Sequence, residues 1–248
     1  MKKMKKSDKV QNLKKITNAL VEEALEKIRS GRQNSLRSKE QYFRTAEYFL
    51  SETKEYIDAA CETLKIEKYD ASLALSRWIL EASMNLWWVS TDSSQSEQRI
   101  ADLAGEALRC EAILLDGLAE RWPNDASVYR NTAREAKKMR KNLNARKLTS
   151  LDTRMKSIKP LQRANCPDIY VLYRMCCAAA HPSLKIWERY RKVGTTIVSM
   201  KPKDKTNTAH WMVAASVLYL VATAYCLTKL GNKNYLEKWW SDKIVPLL

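Results

Sequence analysis

The stretch Tyr69-Asp-Ala-Ser-Leu-Ala-Leu-Ser-Arg-Trp-Ile-Leu-Glu-Ala-Ser-Met-Asn-Leu-Trp-Trp-Val-Ser90 decides the fold. It holds no Gly or Pro, and Asp70 is a suitable N-cap. Its apolar residues Leu73, Leu75, Trp78, Ile79, Ala82, Leu86 and Trp87 cover a broad helical sector instead of alternating as a strand would. A helix apolar over so much of its surface belongs at the centre of a helical protein. The composition agrees. Five Gly and six Pro in 248 residues, with Ala, Leu, Lys, Glu and Arg abundant, leave few of the sharp turns that a many-stranded sheet needs. The expected fold is an all-α multi-helix bundle.

On the N-terminal side, Lys2, Lys3, Lys5, Lys6 and Lys9 predict a disordered basic arm. Leu13, Ile16, Leu20, Ala24 and Ile28 then recur at helical spacing, and Ser30-Gly31 offers a stop. A second helix is expected over 39–66, burying Tyr42, Ala46, Phe49, Leu50 and Ile57. On the C-terminal side, Ser93 or Ser94 can cap a helix that runs to Trp122, where Pro123-Asn124-Asp125 turns the chain. Residues 126–147 are helical by propensity. Pro160 and Pro167 bracket a loop before a helix from Asp168 to His181, which Pro182 ends. Around Lys192-Val193-Gly194 the alternation fits a short β-hairpin, with a plain loop as the other reading. An apolar helix follows from Thr208 to Leu230, Gly231-Asn232 ends it, and a short helix at Trp239-Trp240 closes the chain. The organisation expected is a basic arm and helix over 1–38, a helical bundle over 39–230 and a short C-terminal helix over 231–248.

The net charge of +16 is segregated. Residues 1–40 hold twelve Lys/Arg against five acids, residues 41–127 eight against sixteen, and residues 128–163 twelve against two. Such blocks set up a directed field for a polyanion, and nucleic acid is the leading partner class. Arg134, Lys137, Lys138, Arg140 and Lys141 make the segment 126–147 the phosphate-facing helix in this reading. Six Cys without a Cys-x-x-Cys pair read as small buried residues of a reducing, cytoplasmic compartment. With two His, no structural metal is expected. The uncharged segment Trp211 to Thr228 reaches the lower length of a membrane span. Its Ala, Ser, Thr and Tyr content favours a buried core helix, and membrane association is the minor alternative.

Two polar groups interrupt the apolar helices. Arg77 and Glu81 lie one turn apart on one helix face, either as an internal ion pair or as an Arg oriented by Glu to hold an anion. Arg174 and His181, seven residues apart, fall within about 20° of each other around a helix axis. Tyr170 and Cys177 share their stripe, Tyr173 lies beside it, and Ala178 to Ala180 allow close approach. At a helix C-terminus the dipole favours the imidazolium of His181, which makes it a candidate acid or base near neutral pH. A capping role is the plainer alternative. His210, opening the apolar helix, reads as structural.

The spacing Arg174-x6-His181 resembles the Arg-x(4 to 6)-His signature of HEPN-fold ribonucleases, small helical bundles of toxin–antitoxin and phage-defence systems. The run Ala71-Ser-Leu-Ala-Leu-Ser-Arg-Trp-Ile-Leu-Glu-Ala82 is similar to an early helix of that family. Arg77, Glu81, Tyr173 and His181-Pro182-Ser183 also resemble an uncharacterised bacterial helical family with Arg-x3-Glu and Tyr…His-Pro-Ser elements. The resemblance spans residues 40–230 and implies a HEPN-like core, an RNA substrate, no cofactor, and a homodimer with motifs facing one groove. It also implies an antitoxin or defence-complex protein as a further partner. The catalytic set it implies is His181 and Arg174, with Arg77, Glu81 and Tyr173 shaping the pocket. Met175 follows Arg174 where many active members carry a polar residue, so a non-catalytic nucleic-acid- or protein-binding module is the alternative function.

Overall fold

The computed structural model describes residues 6–157, 172–173, 176–177, 205–230, 236–238 and 240–247. Among these the protein is all-α, a multi-helix bundle without strands. The Pro160 to Pro167 loop, Arg174, His181 and the segment 187–200 lie outside the described residues. The chain divides into two compact units, Met1–Trp87 with Lys159–Leu248 and, between them, Trp88–Ile158.

In the first unit, α1 (Lys6–Gln33) and α2 (Glu40–Lys65) form a hairpin around the short 3-10 turn Arg37–Lys39. Their buried residues recur by threes and fours, through Val10, Leu13, Thr17, Leu20 and Ala24 on one helix and Phe43, Ala46, Leu50, Thr53, Ile57, Ala60 and Leu64 on the other. This is the spacing of a coiled-coil seam. Polar pairs along its edges fix the antiparallel register: Lys14 with Glu62 at 3.0 Å, Asn18 with Asp58 at 2.9 Å, Lys54 with Glu22, and Arg29 with Glu47 at 2.8 Å. Both helices also pack against α7 (Lys205–Thr228).

That last helix is buried nearly all round, with Val213, Val217, Leu220, Val221 and Ala224 fully inside. It is long and apolar enough to cross a membrane by length and composition, and 72% of its apolar window is buried within the protein. The helix α3 (Tyr69–Ser90) joins the first unit through Ser72, whose hydroxyl donates to the Ala60 carbonyl at 3.1 Å.

Gly31 does not stop α1, which continues to Gln33. A Cβ there would come within 2.8 Å of Phe43 Cε1 and 2.9 Å of Leu230 Cδ1, so this glycine provides close packing. Trp78, expected in the core, is 49% exposed. It belongs to the stripe Ala71, Ala74, Trp78, Glu81 and Asn85, none of which is fully buried, while Ser72, Ser76, Ile79, Leu80 and Ser83 point inward. Serines fill that inward face because their hydroxyls bond back to carbonyls, as Ser76 does to Ser72 and Ser83 to Ile79.

The second unit is a helical hairpin of α4 (Ser96–Arg121) and α5 (Ala126–Asn142), joined by the 3-10 turn Pro123–Asp125, followed by α6 (Leu151–Ser157). Its seam is thin: Ala112, Ala133 and Ala136, flanked by half-buried Leu108 and Leu115. After α5, Asn144 adopts a left-handed conformation (φ 50°) that ends the helix. Asp102 of α4 then clamps the returning chain. Its carboxylate accepts the Arg146 amide at 2.8 Å and the Arg146 guanidinium at 2.7 and 3.0 Å, with Gln98 donating at 2.9 Å. Beside this clamp, one turn further along α4, a Cβ on Gly105 would lie 2.1 Å from the Ala145 Cβ. Gly105→Ala is therefore expected to cost about 1–3 kcal/mol of stability, read as a lowered midpoint in urea unfolding.

Candidate functional site

Tyr173 is the residue of the second segment that the structure places against Arg77. It is helical, as are Leu172, Cys176 and Cys177, and only 7% exposed. The guanidinium of Arg77 sits over its ring, 5.8 Å from the centroid, and also 5.7 Å from the ring of Trp78. One wall of this cation slot is thus buried and the other open. Arg77 donates a hydrogen bond to the Tyr173 hydroxyl, and the Glu81 carboxylate adds its charge to the field around the guanidinium.

The electrostatics follow from that packing. Burial pulls the Arg77 guanidinium down, but Tyr173, Cys177 and Glu81 outweigh it, so its pKa is raised and the charge is secure. Burial pushes the Tyr173 phenol up, Cys177 and Glu81 add to this against the opposing pull of Arg77, and the result is about 12. Tyr173 is consequently a neutral phenol at physiological pH, able to donate or accept a hydrogen bond but not to serve as a phenolate base. Glu81 keeps its Oε2 buried with no hydrogen-bond partner among the described residues. An acceptor in that state is costly unless a donor reaches it, and such groups gather at sites.

Arg77, Glu81 and Tyr173 therefore form one cluster, joined by half-buried Cys177, for which helical spacing alone gives only a place on the neighbouring stripe. Arg174 and His181 lie outside the described residues. His210 is buried at 4% exposure. The sequence reading also missed the stacked pair Tyr56 and Trp78, with centroids 6.0 Å apart and planes at 18°. Only the adjacency of Trp78 to Arg77 hinted at it. Among the described residues no group of three or more His, Cys, Asp or Glu side chains is placed to hold a metal ion.

The basic segment is α5, shorter than expected because it ends at Asn142. Arg134, Lys137, Lys138 and Lys141 are exposed. Arg140 is half-buried and turned toward the seam, its Cγ 3.6 Å from where a Gly105 Cβ would stand. Helical spacing places Arg130, Arg134, Lys137 and Lys141 on one stripe. Lys137 pairs with Asp116 of α4 at 2.8 Å, and Lys138 more loosely with Glu135 at 3.9 Å. Exposed pairs of this kind are worth under about 1 kcal/mol, so a phosphate can displace them.

No family model matches the chain, and neither a curated protein nor a solved structure matches it.

Proposed function

We propose that the protein is a metal-independent endoribonuclease of the HEPN type, acting in a toxin or phage-defence setting in the cytoplasm. The observation that carries the reading is the seat of the Arg77 guanidinium on the Tyr173 ring. It brings the Arg-x3-Glu helix to the segment that runs on into Arg174 and His181. A fixed cation beside a neutral phenol and a buried, unsatisfied carboxylate oxygen suits an RNA backbone, which offers a phosphate oxygen to the first and a ribose hydroxyl to the last.

In this mechanism His181 removes the proton of a ribose 2′-hydroxyl, whose oxygen attacks the adjacent phosphorus. The bond from phosphorus to the 5′-oxygen of the next nucleotide breaks, that oxygen takes up a proton from water and leaves as a 5′-hydroxyl, and the other product end is a 2′,3′-cyclic phosphate. Because the nucleophile belongs to the substrate, proximity supplies much of the rate. Arg174 stabilises the charge growing on the phosphate, Arg77 holds a second oxygen, and Glu81 orients the ribose. The basic stripe of α5 and the N-terminal arm gather the strand electrostatically. Two protomers pair as HEPN-type proteins do, and an antitoxin or defence-complex protein restrains the activity.

The test is incubation of the purified chain with RNA in excess chelator, followed by analysis of product ends. Cyclic phosphate ends are expected, and His181→Ala is expected to reduce their formation by about 100-fold or more. Equal activity in the variant removes His181 from the mechanism. Salt-sensitive RNA binding without cleavage, unchanged in His181→Ala, identifies a non-catalytic binding module instead.

A further inference from the structure

Trp78 is the tryptophan of α3 that the fold leaves in water. Trp87 and Trp88 on the same helix are 9% and 7% exposed, whereas Trp78 is 49% exposed and its partner Tyr56 of α2 is 37% exposed. The two rings lie nearly parallel, with planes at 18° and centroids 6.0 Å apart. Side chains on a helix lean toward its N-terminus, so the indole of Trp78 reaches over the turn of Ala74 and Ala71, which are too small to cover it. Two stacked rings thus form one flat surface that solvent reaches.

A single exposed aromatic residue is ordinary. This one is distinguished by its neighbour, because the Arg77 guanidinium stands 5.7 Å from the indole centroid. An aromatic plane beside a fixed cation matches the repeating unit of a nucleic-acid strand, in which a flat base and a charged phosphate are joined through one sugar. Charge divides the roles. Glu81 follows Trp78 on its stripe of α3 and Glu52 stands one turn before Tyr56 on α2, so a phosphate is disfavoured over the stack and favoured at Arg77. A neutral base meets no such penalty. The surface suits only an unpaired base, since in a duplex the neighbours in the stack cover both faces of each base.

We propose that Tyr56 and Trp78 form a base-stacking subsite, which takes an unpaired base of single-stranded RNA whose adjoining phosphate lies on Arg77. This subsite rests on the ribonuclease reading for the identity of its ligand. It adds a requirement which that reading does not make, namely that the base be free of a complementary strand.

Fluorescence anisotropy with 2′-fluoro RNA tests it, because this strand keeps its bases but lacks the attacking hydroxyl and stays intact. Trp78→Ala is expected to raise the Kd for the single strand by about 10-fold or more and to leave the Kd for the same strand annealed to its complement unchanged. The salt dependence of single-strand binding is expected to keep its slope, since no ionic contact is removed. Trp78→Phe is expected to recover much of the loss, and Tyr56→Ala, on the other helix, to weaken single-strand binding by about 3-fold or more. An abasic phosphodiester oligomer of the same length is expected to bind wild type and Trp78→Ala equally. A single strand bound equally by wild type and Trp78→Ala overturns the subsite, as does an equal loss on the duplex or on the abasic oligomer, either of which marks a backbone contact. If wild type still cleaves RNA in those cases, the ribonuclease reading stands without the subsite. Trp78-dependent binding by a chain that cleaves no RNA keeps the subsite and removes the nuclease.

Discussion

Replacing Arg77 by alanine is expected to lower kcat/KM for RNA cleavage by about 100-fold or more, with kcat carrying most of the loss. The reason lies in the slot between Tyr173 and Trp78. A guanidinium held at 5.8 and 5.7 Å from two ring centroids has its position fixed before substrate arrives, so little reorganisation is needed as charge develops. Arg77→Lys is expected to recover little. An ammonium keeps the charge but loses the planar face that stacks on the rings and the fork that can take two phosphate oxygens. If Arg77 is only structural, Arg77→Ala lowers the unfolding midpoint and leaves kcat per folded molecule intact. Cleavage rates normalised to folded protein separate the two cases.

Asp102→Ala is expected to have the largest effect on stability, about 3 kcal/mol, because three hydrogen bonds from Arg146 and one from Gln98 end on this one carboxylate. The Arg146 side chain can turn to water, but its amide loses its acceptor, and the chain leaving α5 loses its anchor on α4. Burial alone would push the Asp102 carboxyl up, yet the donors from Arg146 and Gln98 win and hold it below the usual carboxylate range. A lowered folded pKa means that the clamp stabilises the protein above the ordinary aspartate pKa of about 4 and that this contribution is lost as pH falls through the lower folded value. Urea midpoints of wild type and Asp102→Asn should therefore converge on acidification. A gap that persists unchanged into acid contradicts the ionised clamp.

Legibility in the sequence depended on how local each signal was. The uncharged run of α7 needs no partner to identify it, and its burial follows from a helix apolar on every side. The turn at Pro123 is equally local. Gly31 shows the limit: a glycine after Ser30 looks like a helix stop, and only the approach of Phe43 and Leu230 reveals a packing contact. Trp78 shows it again, because hydrophobicity placed it inward while the inward face was already taken by serines that bond back to their own helix. For the candidate site, the types and spacing of Arg77, Glu81 and Tyr173 were readable. Their meeting was not, since nothing in one sequence fixes which helix faces which. The spacing of Arg77 and Glu81 fits an internal ion pair or an oriented arginine, yet Arg77 also donates a hydrogen bond to Tyr173 across the packing interface.

The central claim is that the Arg77, Glu81 and Tyr173 cluster and the Arg174-x6-His181 motif act as one site. A double-mutant cycle on RNA cleavage tests this most directly, using Arg77→Ala, His181→Ala and the two combined. Groups that act as a unit are far from additive. The account predicts that the double variant is no slower than the slower single variant. Losses that multiply fully, or a wild type that does not cleave RNA at all, contradict it.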